Sequence, residues 1–273
     1  MIRLNKLLRL LNGENDTFYV KSKRKSGLTI DAIKLIALIT MICDHIGFVL
    51  INNGVLYGYN IALQSYALTL KTAVPWIILR DFLRTIGRLS FPLFAFCLSE
   101  GFSHTSNAYK YGARLAIFAL ISEIPFDLAC FDTPINFTTQ NIFFTLLLGF
   151  IGMFIINKID DEVWVLKLFA FIGVCFAGHL IRCDYGWYGV ALIMACNIAR
   201  NSKLLETAVV GTGGVMLSLS RAGFGGLAGI ITWFYNGRKE ERSLKYLYYI
   251  IYPVHLLIFY LMVYIPTLLT AEG

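Results

Sequence analysis

The stretch "LTIDAIKLIALITMICDHIGFVLI", residues 28–51, decides the class of fold. A membrane helix needs about 20 mostly apolar residues. This run has that length, and only Asp31, Lys34, Asp44 and His45 in it are ionisable. The residues before it are polar and basic, with "KSKRK" at Lys21–Lys25. They offer no small-residue cleavage site, and the apolar run outlasts that of a signal peptide. Residues 1–27 are therefore expected to form a basic cytoplasmic arm, with "LNKLLRLL" as a short amphipathic helix.

The rest of the chain has the same character. Hydrophobic residues make up 57% and charged residues 15%, with a mean hydropathy of +0.66. A soluble domain averages about 45–50% apolar and about 25% charged, so this chain lacks the charge to coat a soluble enzyme. An aromatic content of 15% is equally far from disorder. Further spans are expected near 85–102, 113–131, 140–157, 163–181, 185–199, 204–219, 224–236 and 246–269. The prediction is an all-α polytopic transmembrane bundle of about nine spans, residues 28–273 forming one domain. Residues 52–84 are broken by Lys71, Pro75, Arg80 and Asp81, and read as an interfacial segment or, alternatively, an extra span.

Basic residues orient the bundle, because cytoplasmic loops retain Lys and Arg. An inside N-terminus with nine crossings leaves only Lys71, Arg80, Arg84, Arg88, Arg182 and Arg221 outside. An extra span in 52–84 would reverse every later loop and spoil that bias. The net charge of +7 then serves topology. No basic stripe interleaves with exposed aromatics, so nucleic acid is not an expected partner; membrane lipid is, at the plasma membrane. The six cysteines form no CxxC pair and read as buried thiols.

Ionisable groups within spans cost ~2.5–3.5 kcal/mol on insertion scales, so they mark sites. Asp44 and His45 fall in the outer half of the first span. Neighbours on a helix point about 100° apart, so each needs its own partner from another span. Asp31 and Lys34 sit at the inner end as a local ion pair or part of a cytoplasmic cofactor mouth. Arg84 and Arg88 lie one turn apart at the depth of Asp44. They either anchor the interface, neutralise Asp44 or hold an anionic group. Pro92 is expected to kink the second span. Glu100 and His104 share a face at its inner end, with spacing for a metal or an acid–base pair but too few ligands to specify one. "SEIPFD" carries Glu123 and Asp127, "QNIFFT" carries Asn141 and Thr145, "DYGWYG" carries Asp184 and Tyr185, and "YPVH" ends in His255. These polar ends converge on one side, predicting a single outer-leaflet cavity.

At these motifs the chain resembles the TraX family of integral membrane proteins. The resemblance rests on "DHIG" (44–47), "GRLSFPLFAFCLSEGFSHT" (87–105), "Y-x-x-RL" (111–115), "ISEIPFDL" (121–128), "N-I-F-F-T-L-x-x-G" (141–149), "DYGWYG" (184–189) and "YPVHL" (252–256), in that order. The founding member is implicated in N-terminal acetylation of conjugative pilin. The resemblance thus implies a membrane acyltransferase taking acetyl from acetyl-CoA, with pilin, another peptide or a surface glycan as acceptor. The family is also similar to other multi-span acyltransferases that use an intramembrane histidine.

Acetyl transfer needs a base for the nucleophile's proton and donors for the oxyanion; a thioester is reactive without a metal. His45 is the expected base, with His255 the alternative. Asp44 is the catalytic carboxylate nearest to His45 in sequence; the helix angle argues against a direct bond between them, and Glu123 or Asp127 are the alternatives for holding the ring. Arg84 and Arg88 are expected to bind an anionic group or the oxyanion. Lys34, Lys110 and Arg114 would meet the CoA phosphates at the cytoplasmic face. Asp184, Tyr185 and Glu100 are supporting residues. A small-solute or proton transporter is the competing reading, suggested by kinked spans and buried charge. A non-catalytic scaffold for surface structures is the other.

Overall fold

A computed structural model describes residues 26–56, 70–238 and 245–271. The expected cytoplasmic arm lies almost wholly outside these residues. The described residues form helices and turns with no strand. In chain order they are α1 (Ile30–His45), α2 (Leu70–Gly87), α3 (Ser90–Ser103), α4 (Ala108–Phe131), α5 (Ile142–Lys158), α6 (Trp164–Leu180), α7 (Gly186–Ala199), α8 (Lys203–Leu217), α9 (Leu227–Trp233) and α10 (Lys245–Ala271). Single 3-10 turns occupy Asp161–Val163, Leu219–Arg221 and Phe224–Gly226. Four segments are long and apolar enough to cross a membrane: 30–56, 72–103, 161–180 and 246–265.

Local chemistry sets the ends. Thr29 caps α1, its hydroxyl accepting the Ala32 N–H at 3.2 Å, and Asp31 complements the helix dipole one residue in. Asn107 caps α4 and Asn141 caps α5 in the same way. After His45 the first element does not stop but continues as a π-helix, Ile46–Leu56.

Two expectations about spans change. The second span does not begin at residue 85. Helix α2 already covers 70–87, and only Arg88 and Leu89 separate it from α3. The combined run lies antiparallel to the first element: Arg80 reaches Asn52, Arg88 reaches Asp44, and Cys97 lies within the field of Lys34. Residues 70–84 are thus the leading half of a long helical arm rather than a separate crossing; residues 57–69 lie outside the described set. Pro92 does not kink a span either. It falls in the first turn of α3, where a missing N–H costs nothing. The other change concerns 224–236. It is a 3-10 turn plus the seven-residue α9, about 15 Å of helix at 1.5 Å per residue, half a bilayer core.

Helix α3 is the axis of the bundle. Phe91, Leu93, Ala95, Phe96, Cys97 and Leu98 are all buried, which requires neighbours on every side. It packs against α1, α5, α7, α8 and α9. Helix α6 is the opposite case, exposing Leu166, Phe169, Ile172 and Phe176. Close backbone approach fixes the outer corner. A Cβ on Gly225 would meet the Gly214 carbonyl at 2.6 Å and the Arg88 carbonyl at 2.9 Å, so glycine there lets α8 and the 224–226 turn close on the α2–α3 junction.

Candidate active site

Asp44 and His45 end α1 side by side, and their side chains diverge as helix geometry requires. Asp44 turns to the α2–α3 junction. Its two oxygens accept from Arg84 Nη1 at 2.6 Å and Arg88 Nη2 at 2.5 Å. Arg88 also donates through Nε to the Arg84 carbonyl at 3.1 Å, and the Arg84 guanidinium lies 4.9 Å from the centre of the Phe48 ring. The carboxylate therefore sits in a two-arginine clamp. Gly87 stands between the arginines and is the reason they fit. A Cβ there would lie 2.6 Å from Asp44 Cγ. We expect Gly87→Ala to push Asp44 out of the clamp and lower the thermal midpoint by several degrees, read by fluorescence-detected unfolding in detergent. An unchanged midpoint would show that the junction yields freely.

His45 turns to α10. Its Nδ1 lies 2.8 Å from His255 Nε2, and His255 Nδ1 lies 2.6 Å from the Ile251 carbonyl oxygen. Tyr252 presents its ring near edge-on to both imidazoles, at 5.9 and 5.8 Å between centres. Phe259 flanks His255 at 5.5 Å. The two histidines weighed against each other as base are thus a single unit. The expected carboxylate partner is absent from it. Glu123 instead receives the Asn141 side-chain amide, and Asp127 accepts the Asn136 N–H at 2.7 Å. Glu123 ties α4 to the start of α5, and Asp127 ties it to the loop between them.

A cavity of about 570 Å³ runs from His45 to the other end of the bundle. His45, Asp44, Asp184, Tyr185 and Tyr252 line one end; Lys34, Lys110, Arg114 and His104 line the other. Lys34 is paired with Asp31 at 3.3 Å, as its spacing predicted, and still borders the opening. Lys110 and Arg114 stand one turn apart on α4. Arg84, Arg88, Glu123 and His255 do not border the cavity. Of the alternatives open for the two arginines, the structure shows the pairing with Asp44.

The remaining candidates have local roles. Glu100 borders the cavity and hydrogen-bonds Tyr235, while the His104 ring turns to the Glu100 backbone carbonyl at 2.8 Å. No group of three or more His, Cys, Asp or Glu side chains suited to a metal occurs among the described residues. Asp184 accepts the Tyr185 N–H at 3.0 Å, and Tyr185 stacks on Phe91 at 4.2 Å. Sequence reasoning missed the tyrosine wall, formed by Tyr111, Tyr235, Tyr248, Tyr249 and Tyr252. The Arg114 guanidinium lies 5.4 Å from the centre of the Tyr111 ring. The signal was the i, i+4 pair Tyr248 and Tyr252, one face of α10 continuing toward His255.

With this geometry in hand, comparison with known proteins is direct. Residues 29–263 match the TraX protein family. The chain belongs to the TraX family. A TraX-family chain of this kind is also 28% identical over 249 residues to the probable fimbrial assembly protein FimC, serogroup H1, of Dichelobacter nodosus, covering 82% of this chain and 91% of that one. No solved structure matches it.

Proposed function

We propose that this TraX-family chain is a multi-pass acyltransferase of the plasma membrane with a cytoplasmic N-terminus. It moves an acetyl group from acetyl-CoA to an amine or hydroxyl acceptor at or beyond the membrane. The observation that carries this reading is the cavity with a cationic mouth and His45 at its far end. Along α1 the separation from Lys34 to His45 is about 16 Å at 1.5 Å per residue, within reach of an extended pantetheine arm. Lys34, Lys110 and Arg114 hold the phosphates outside while the thioester reaches His45.

The chemistry then balances without a metal. The acceptor's nitrogen or oxygen bonds to the acetyl carbon as His45 takes its proton. The oxyanion gains a donor from the hydroxyl of Tyr252, which lines the same end and stands beside the His45 ring. Collapse breaks the carbon–sulfur bond, and His45 returns the proton to the leaving thiolate. The Dichelobacter relative is named as a probable fimbrial assembly protein, which supports a fimbrial subunit or another surface structure as the acceptor. It also supports the second reading, a scaffold for their assembly that transfers nothing.

The test is purified full-length protein in nanodiscs with acetyl-labelled CoA. Label should leave CoA for water or for an added peptide or glycan acceptor. Lys110→Glu and Arg114→Glu should each raise the KM for acetyl-CoA about tenfold with kcat little changed, as expected for loss of a charge-assisted contact worth ~1.4 kcal/mol. Label that never leaves CoA, or a KM indifferent to both reversals, would favour the scaffold.

A further inference from the structure

We infer that His255 is a positioning residue that fixes the tautomer of His45, making Nε2 of His45 the nitrogen that receives the acceptor's proton. The inference rests on the acyl-transfer reading for its catalytic consequence and on hydrogen-bond logic for its geometry.

That logic starts from a backbone carbonyl, which can only accept. His255 Nδ1 lies 2.6 Å from the Ile251 oxygen, so Nδ1 carries the hydrogen and donates. A neutral imidazole has one donor and one acceptor nitrogen. His255 Nε2 is therefore the acceptor. Its neighbour at 2.8 Å is His45 Nδ1, which must donate. The hydrogen of neutral His45 is thus on Nδ1, and its lone pair is on Nε2. His45 Nε2 has no protein hydrogen-bond partner among the described residues, and His45 borders the cavity while His255 does not. The chain of donors runs one way: His45 to His255 to the Ile251 carbonyl.

Packing keeps the chain in place. His255 is 7% exposed. It sits between the rings of Tyr252 and Phe259, which meet it near edge-on, and its Nδ1 bond is to the preceding turn of its own helix. It can rotate little without losing that bond. The arrangement does for His45 what a carboxylate does in a serine-hydrolase triad, holding one ring nitrogen so that the other faces the reaction. A neutral partner differs in one respect. When His45 takes a proton from the acceptor, the new imidazolium gains a dipole and no counter-charge, so the proton is held loosely and passes readily to the leaving thiolate.

The chain has four histidines, so ¹⁵N-histidine NMR of the full-length protein in nanodiscs can resolve them, with His45→Ala identifying the His45 signals. In the wild type, His45 should show a pyrrole-type Nδ1 and a pyridine-type Nε2. His255→Gln offers a carbonyl acceptor of similar reach and should keep that pattern. His255→Leu offers none and should mix or invert it. Acyl transfer should fall about 10–100-fold in His255→Leu, the scale of lost orienting contacts, with the KM for acetyl-CoA unchanged, and should recover in His255→Gln. A protonated Nε2 on wild-type His45, or a His255→Leu variant that retains the wild-type pattern, would overturn the inference. Absence of any transfer by the wild type would instead defeat the acyl-transfer reading, and the nitrogen shifts would still decide the tautomer.

Discussion

His45→Ala should remove acyl transfer and leave the protein folded and able to bind its donor. Loss of a positioned general base costs about 10²–10⁴-fold in rate, and the effect should fall on kcat alone. The mouth residues Lys34, Lys110 and Arg114 lie at the opposite end of the cavity, so acetyl-CoA affinity should change less than about threefold, under ~0.7 kcal/mol. Stability should change modestly, because His45 is only partly buried and makes one side-chain hydrogen bond. Single-turnover transfer of labelled acetyl, paired with equilibrium binding of CoA, separates these quantities. Equal turnover in variant and wild type would take His45 out of the mechanism.

Asp44→Leu should have the largest effect on stability. The change leaves Arg84 and Arg88 without the carboxylate that both hold. Stripping one partner from a buried ion pair costs ~3–5 kcal/mol. The arginine side chains are 25% and 16% exposed, so the lower half of that range applies. That corresponds to a fall of about 5–15 °C in thermal midpoint for a chain of this size. The triple variant Asp44→Leu, Arg84→Met, Arg88→Met should recover most of the loss, since replacing a whole buried ionic cluster with apolar side chains is close to neutral. If Asp44→Leu left the midpoint unchanged and abolished activity, Asp44 would belong to the chemistry and not to the clamp.

The clamp and the relay show how far the sequence could be read. Shared depth brings Asp44, Arg84 and Arg88 to one level of neighbouring helices, which makes their pairing one of the alternatives the sequence offers. The Asp31–Lys34 pair followed from i, i+3 spacing. The divergence of Asp44 and His45 followed from the helix angle. Partners supplied across the bundle were harder. A carboxylate was the expected mate for His45, yet Glu123 had a nearer claimant in Asn141, whose own position is set by capping α5. Nothing local to "YPVH" announces that its histidine meets another ring. The segment at 70–84 is hard to read for a related reason. Lys71, Arg80 and Asp81 look unfavourable in a span taken singly. Arg80 is in fact satisfied by Asn52 and Asp81, and Asp81 also by Arg221, partners that hydropathy cannot register.

Sequence separation gives the two halves of the site different histories. The clamp joins residues 40 and 44 positions apart, whereas the paired imidazoles are 210 apart. Chains emerge from the ribosome N-terminus first and fold as their segments become available. The aspartate is neutralised early, while most of the polypeptide is still unmade. His45 waits for α10, which carries His255. A nascent chain that still lacks α10 would already hold Asp44 between its arginines and still have an unaligned imidazole.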